Sequence, residues 1–170
     1  MLSDLQARNQ PMASSEKNLS TYSNVNLSAS LSTKKVAIVV SEWNTEITEA
    51  LYEGAYSTLI EKGLKKENII KKYVPGSFEL SIGAQKMAAL KEIDAVICVG
   101  CVIRGETSHF DFICQAVATG ITDVSLKYDK PVIFGVLTTE NKQQAFDRAG
   151  GKHGNKGDEA GITAVKMINF

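Results

Sequence analysis

His109 follows directly on Arg104-Gly105-Glu106-Thr107-Ser108, and this short run holds most of the chemistry-bearing side chains that stand together in the chain. An imidazole gives or takes a proton near neutral pH. A glycine and small polar residues at the start of a helix expose backbone N–H groups that have no intrahelical partner and carry partial positive charge. Such a turn cradles an anion, and phosphate is the common one. The same residues have a plainer reading, in which Thr107 or Ser108 only caps the helix and His109 lies on the surface.

The flanking segments say where that run must lie. Ile93 to Ile103 is almost uninterruptedly apolar and rich in β-branched residues, which is the pattern of a strand buried on both faces of a parallel sheet. After the run, Phe110, Ile113, Cys114, Val117, Ile121 and Val124 recur at helical spacing and give one apolar face that packs back on the sheet. The polar residues therefore fall between the carboxyl end of a strand and the amino end of a helix. Open α/β sheets bind their ligands there.

The rest of the chain repeats this alternation. Val36 to Val40 reads as a strand, followed by a turn at Ser41 to Asn44 and a helix from Thr45 whose apolar face (Ile47, Ala50, Leu51, Gly54, Ala55, Thr58, Leu59) runs to Gly63. Asn68 to Val74 reads as a second strand, Pro75 and Gly76 as a break, and Ser77 to Lys91 as a helix. Pro131 to Leu137 is another buried strand. The tail from Asn141 to Phe170 reads as two helices separated by a Gly-rich loop, Gly150 to Gly157. Alternating strands and helices imply parallel strands, right-handed crossovers and helices on both faces, a three-layer α/β/α sandwich. Residues 1 to 33, rich in Ser and Asn and without period, read as a disordered or loosely attached arm, and 34 to 170 as the folded domain. The arm lacks the basic start and apolar stretch of a secretory signal.

Parallel strands share one rim at their carboxyl ends. The turns on it are Ser41 to Asn44, Pro75 to Glu79, Arg104 to His109 and Thr138 to Asn141. Trp43, the sole tryptophan, either offers a flat face to a planar ligand or caps the core beside its own helix. Phe78 is either a hydrophobic staple or a stacking wall, and Glu79 suits a first helical turn with no further role.

Composition limits the function. Lys and Arg equal Asp and Glu at 19 each, and no basic cluster stands out, which argues against nucleic acid as a partner. The longest apolar runs are too short to cross a bilayer. Cys98 and Cys101 form C-x-x-C, but on a strand residues three apart point to opposite faces roughly 10 Å apart, too far for a shared metal or a disulfide. Cys114 falls on an apolar helix face as core packing, and three thiols so placed suit a reducing cytoplasm. The Gly-rich segment from Gly150 fails the Walker register, because a helix precedes it and Gly157 follows Lys156. His153 has no companion at metal-ligand spacing, so neither a metal nor a cofactor is expected.

Four segments together support a family: P-G-S-F-E-L from Pro75, G-C-V-I-R-G-E-T-S-H-F-D from Gly100, P-V-I-F-G-V-L-T-T-E-N from Pro131 and D-R-A-G-G-K-H-G-N-K-G from Asp147. In this order and spacing the chain from about Lys34 to Phe170 resembles lumazine synthase, the penultimate enzyme of riboflavin biosynthesis. The resemblance implies a flavodoxin-like fold. It also implies a cofactor-free condensation of 5-amino-6-(D-ribitylamino)uracil with 3,4-dihydroxy-2-butanone 4-phosphate to 6,7-dimethyl-8-ribityllumazine, phosphate and water. By the same resemblance Trp43 stacks on the pyrimidine, and Ser77, Phe78 and Glu79 hold the ring and ribityl chain. Cys101, Val102 and Ile103 form the strand end beside the uracil, Glu106 and Thr107 the phosphate-binding helix start, and His109 the proton-transfer residue. Phe134 and Arg148 come from a neighbouring subunit, and Lys156 with Glu159 is a further charged pair near the site. The assembly implied is a homopentamer, in some members a larger icosahedral shell, with riboflavin synthase as a further partner. The chain departs from the family pattern at Cys101, where Thr is common, and at Ser81, where Pro is common.

Overall fold

The computed structural model describes residues 31–170; most of the amino-terminal arm, residues 1–30, lies outside the described residues. A short 3-10 turn, Leu31–Thr33, leads in, and Leu31 is buried in the core. The packed unit thus starts before Lys34.

The elements alternate as β1 (Val36–Ser41), α1 (Thr45–Glu61), β2 (Ile69–Val74), α2 (Leu80–Ala88), β3 (Ala95–Ile103), α3 (His109–Tyr128), β4 (Val132–Thr139), α4 (Lys142–Arg148) and α5 (Lys156–Ile168). Strands β2-β1-β3-β4 form one parallel sheet, in register from Val36 opposite Ile69 and Ala95, and from Val96 opposite Val132. The fold is the expected α/β sandwich with a central parallel sheet.

Period-two alternation divides the core into two layers. Val36, Ile38, Val40, Ile97, Val99 and Cys101 point to one face, where Ile47, Leu51, Ala55 and Leu59 of α1 and Ala160, Ala164 and Val165 of α5 cover them. Ala37, Val39, Val96 and Cys98 point to the other, under Leu80, Ala84 and Ala88 of α2 and Val117, Ile121 and Val124 of α3. Cys98 and Cys101 accordingly lie in opposite layers, as a strand requires. Because Ile97 is fully buried in the central strand β3, Ile97→Ala should lower the unfolding free energy by about 2–5 kcal/mol, read from the urea midpoint at unchanged slope.

Four local readings need correction. The segment after Pro75 opens as a 3-10 turn, Ser77–Glu79, and its α-helix ends at Ala88 rather than Lys91. Strand β3 begins at Ala95, not Ile93, although Ile93 is buried. The Gly-rich segment is not a plain loop: β5 (Ala149–Gly151) and β6 (Gly154–Asn155) pair antiparallel, a hairpin entered through Gly150 at φ 109°. Cys114 is half-buried and outside both core layers: in the first turns of α3 it is Ile113 that packs against the core, and the fully buried positions begin at Val117.

Two asparagines start the last helices. The Asn141 Oδ1 accepts the Gln144 N–H at 2.9 Å and the Asn155 Oδ1 accepts the Gly157 N–H at 2.8 Å, satisfying orphan donors at each helix start. Asn155 also donates to the Ala50 carbonyl at 2.8 Å, fastening α5 to α1. Arg148 and Lys156 are thereby held beside β4.

Candidate active site at the sheet rim and the β4 groove

The carboxyl ends of β1, β2 and β3 bring three turns together. The Glu42 N–H donates to the Val74 carbonyl at 2.9 Å and the Trp43 N–H to the Pro75 carbonyl at 3.1 Å, joining the first turn to the second. Asn44 takes the left-handed conformation (φ 60°), which Asn tolerates better than most residues, and its Nδ2 donates to the Cys101 carbonyl at 3.0 Å. The first turn is therefore also fixed to the end of β3. This arrangement leaves the Trp43 ring 73% exposed, so the ring does not cap the core. Phe78 is also exposed rather than stapled beneath its helix.

Glu79 does have a structural use, since its Oε2 accepts the Gly76 N–H at 3.0 Å and closes the turn. The Ser77 hydroxyl is buried, packs over the spot where a side chain on Gly100 would stand, and has no hydrogen-bond partner among the described residues. A buried hydroxyl without a partner costs free energy unless something else reaches it. Cys101 is buried, with Val102 and Ile103 half-buried beside it. Burial pushes the Cys101 thiol up to about 11 and the Cys98 thiol up to about 12, so both stay protonated and neither is a nucleophile.

Residues 105–108 form the third turn and are all exposed. Ser108 makes no side-chain cap bond, and Thr107 Oγ1 accepts the His109 N–H at 3.4 Å. His109 is the first residue of α3 and is open to solvent, on the same rim as Trp43 and Ser77. Arg104, at the entry to this turn, engages two carboxylates. Its Nη1 and Nη2 reach Asp111 at 3.2 and 2.9 Å, and its Nε reaches Glu140 at 2.9 Å. Those carboxylates raise the guanidinium's pKa, and Arg104 in turn holds the Asp111 carboxyl below its usual range. Residue-type reasoning named Arg104 and Asn44 only as members of rim turns, gave them no role, and did not single out Asp111 or Glu140. The only signal for the pair of Arg104 and Asp111 was an arginine before the turn and an aspartate in the helical turn after it.

Phe134, Arg148, Lys156 and Glu159 lie elsewhere. They line a groove of about 520 Å³ along β4, together with Thr138, Ala160 and Thr163, and none of the rim residues Trp43, Ser77 to Glu79 or Glu106 to His109 lines it. β4 is an edge strand, so Phe134 stays 43% exposed. Arg148 spends one N–H on the Gln144 carbonyl at 3.0 Å, and Lys156 pairs with Glu159 at 2.6 Å. The sequence-derived residues thus form two groups in one chain: a polar rim that carries Trp43, Phe78 and His109, and a groove that carries Arg148 and Lys156. Among the described residues no cluster of His, Cys, Asp or Glu could hold a metal ion, and no helix is long and apolar enough to cross a membrane.

Comparison with known proteins agrees in both extent and order. The family model described as 6,7-dimethyl-8-ribityllumazine synthase matches residues 33–170. A 6,7-dimethyl-8-ribityllumazine synthase of Cytophaga hutchinsonii is 66% identical over 157 residues, covering 92% of this chain and 98% of that one. Its counterpart in Parabacteroides distasonis is 56% identical over 159 residues, 94% and 99% of the two chains. That of Flavobacterium johnsoniae is 53% identical over 156 residues, 92% and 82%. With the match spanning the whole packed unit, from the first strand to the last helix, the chain belongs to the 6,7-dimethyl-8-ribityllumazine synthase family.

Proposed function

We propose that the chain condenses 5-amino-6-(D-ribitylamino)uracil with 3,4-dihydroxy-2-butanone 4-phosphate at a site shared between two copies, the rim of one facing the β4 groove of the next. The observation that carries this reading is the split itself. The rim has an exposed indole and an imidazole but no guanidinium free of carboxylates, whereas Arg148 lies in a groove that holds no imidazole.

On the rim, Trp43 stacks on the pyrimidine, and Ser77, Phe78 and Glu79 hold the ring and ribityl chain. The unpartnered Ser77 hydroxyl supports this, because a polyol supplies the missing partner. The strand end at Cys101, Val102 and Ile103 lies along the uracil and recognises it through backbone groups, since a protonated thiol is a weak partner. Glu106 and Thr107 open the phosphate-binding turn through their N–H groups, and His109 stands beside it. From the second copy come Phe134, as a further wall, and Arg148, as a phosphate clamp suited to a planar guanidinium, with Lys156 and Glu159 nearby.

The chemistry needs an amine to attack a ketone, an imine to form with loss of one water, phosphate to leave and the ring to close with loss of a second water. Both substrates are reactive, so holding them together accounts for much of the acceleration. His109 moves protons, and the start of α3 with Arg148 stabilises the departing phosphate. We infer a homopentamer, with an icosahedral shell as its higher form and riboflavin synthase as a partner using the product. Exposure of Phe112 at 71% and Leu126 at 78% on α3 supports association. The free thiols suit the cytoplasm.

The direct test mixes the purified protein with both substrates and follows lumazine absorbance against the uncatalysed reaction. A protein-dependent rate is expected; a folded, assembled protein that adds nothing to the background refutes the assignment. Site sharing has its own test. Co-expressed His109→Ala and Arg148→Ala chains should form mixed assemblies in which about a quarter of the interfaces carry both native groups, restoring activity well above either variant alone. Activity equal to the mean of the two separate variants would place both groups in one chain's site.

A further inference from the structure

We propose that Arg104 is a positioning residue: tied to Asp111 and Glu140, its guanidinium sets the turn 105–108 and His109 in the geometry that receives the phosphate-bearing substrate, without touching the phosphate itself. The inference rests on the proposed function above and adds a residue to it.

Turn 105–108 has almost nothing of its own to hold it. All four residues are exposed, Ser108 makes no cap bond, Gly105 has open space around it, and the side-chain hydrogen bond within the turn region, from the His109 N–H to the Thr107 hydroxyl, is long at 3.4 Å. What fixes the turn is a bracket across its ends. Arg104 precedes it and Asp111 follows it in the first turn of α3, and the two meet through a forked pair of bonds at 3.2 and 2.9 Å. A fork constrains rotation as well as distance, which a lysine ammonium would not do.

Three further contacts tie the bracket to the end of β4 and to α3. The Arg104 N–H donates to the Thr139 carbonyl at 2.9 Å, Nε meets Glu140 at 2.9 Å, and the guanidinium lies over the Phe110 ring at 4.1 Å. Phe110 is the neighbour of His109, so the stack bears on the residue next to the imidazole. The end of β3, the start of α3 and the turn after β4 are thereby held by one residue, its backbone bonded to Thr139 and its side chain to Asp111, Glu140 and Phe110.

An arginine beside a phosphate-binding turn suggests a ligand, but its partners argue otherwise. All three guanidinium nitrogens are engaged by carboxylates, and one cation facing two anions leaves the cluster net negative. Such a cluster does not attract phosphate. The attraction has to come from the helix start and from Arg148, which is why the rim needs a cation from outside its own chain.

The two roles predict opposite signs for one isosteric change, Asp111→Asn. If Arg104 binds phosphate, neutralising Asp111 frees its charge and lowers KM for the phosphate ketone. If Arg104 positions the turn, the fork weakens and that KM rises. We expect a several-fold rise for Asp111→Asn and about a tenfold rise for Arg104→Met, with KM for the pyrimidine within about twofold of the parent, as misplacement confined to one half of the site requires. The double variant should be no worse than Arg104→Met alone, since both changes cut the same link. Steady-state kinetics on assembled protein, with light scattering and the emission of the sole tryptophan as checks on folding, reads all of this. Should Arg104→Met fail to assemble, Asp111→Asn still decides. A fall or no change in the phosphate-ketone KM of Asp111→Asn, equal rises for both substrates, or additive losses in the double variant would overturn the positioning role while leaving the function intact. A parent chain that makes no lumazine removes both readings.

Discussion

Arg148→Ala should reduce kcat/KM for 3,4-dihydroxy-2-butanone 4-phosphate by about 100-fold, almost all of it in KM, with KM for the pyrimidine little changed. A charge-assisted, two-pronged contact to phosphate contributes about 1.5–3 kcal/mol, which corresponds to roughly 10- to 100-fold in binding. The upper end applies because the rim has no substitute: Arg104 is engaged by Asp111 and Glu140, and Lys156 is paired with Glu159. Among the described residues Arg148 makes only its contact to the Gln144 carbonyl at 3.0 Å, so most of its fork is open to an anion in the groove. Initial rates at varied phosphate ketone and saturating pyrimidine measure the effect. An unchanged KM would show that the phosphate is held by the α3 start alone.

His109→Ala should slow turnover by about 100-fold without abolishing it, the lower end of what a positioned proton-transfer group supplies. The reason is the nature of the reaction. An amine and a reactive ketone condense measurably by themselves, so the site gains most from holding them in register, and alanine at 109 leaves Trp43, Ser77 and the turn 105–108 in place. His109 is open to solvent at the first position of α3, where its removal opens no cavity in either core layer. Folding and assembly should therefore be retained, and kcat should fall with both KM values nearly unchanged. Complete inactivity in an assembled His109→Ala protein would mean that proton transfer, not proximity, dominates the barrier.

The two results separate roles that a single loss of activity would merge. Arg148 acts through substrate affinity and His109 through the chemical step, so the first variant should recover at high phosphate ketone and the second should not.

Strand and helix periodicity made most of the fold legible before any coordinates. Apolar runs such as Ala95–Ile103 and the α1 face from Ile47 to Leu59 are local consequences of backbone geometry, which the order of residues states directly. Errors came where that geometry is overridden by packing. Glycines from Gly150 read as a loop, yet the same residues form a short antiparallel hairpin once α4 and α5 bring the two ends together. Cys114 has the spacing of a core residue, but its neighbour Ile113 takes the contact with the core layer, and spacing alone does not say which of two adjacent apolar residues faces the sheet.

The polar rim followed from sequence alone, because parallel strands with intervening helices must place all their carboxyl-end turns on one side, and Trp43, Ser77 to Glu79 and Glu106 to His109 are the residues in those turns. What those residues touch was decided only in three dimensions. The contact of Arg104 with Glu140 depends on β4 lying next to β3, which fixes a pair 36 positions apart that no local pattern encodes. The separation of Arg148 from His109 has the same origin. α4 and α5 return along the free edge of β4, so a residue that sequence groups with the site stands in a groove of its own. Sequence by itself determined which side chains are present at each strand end, since secondary structure is local; only the tertiary structure decided which of them meet, since strand order and edge exposure are properties of the whole sheet.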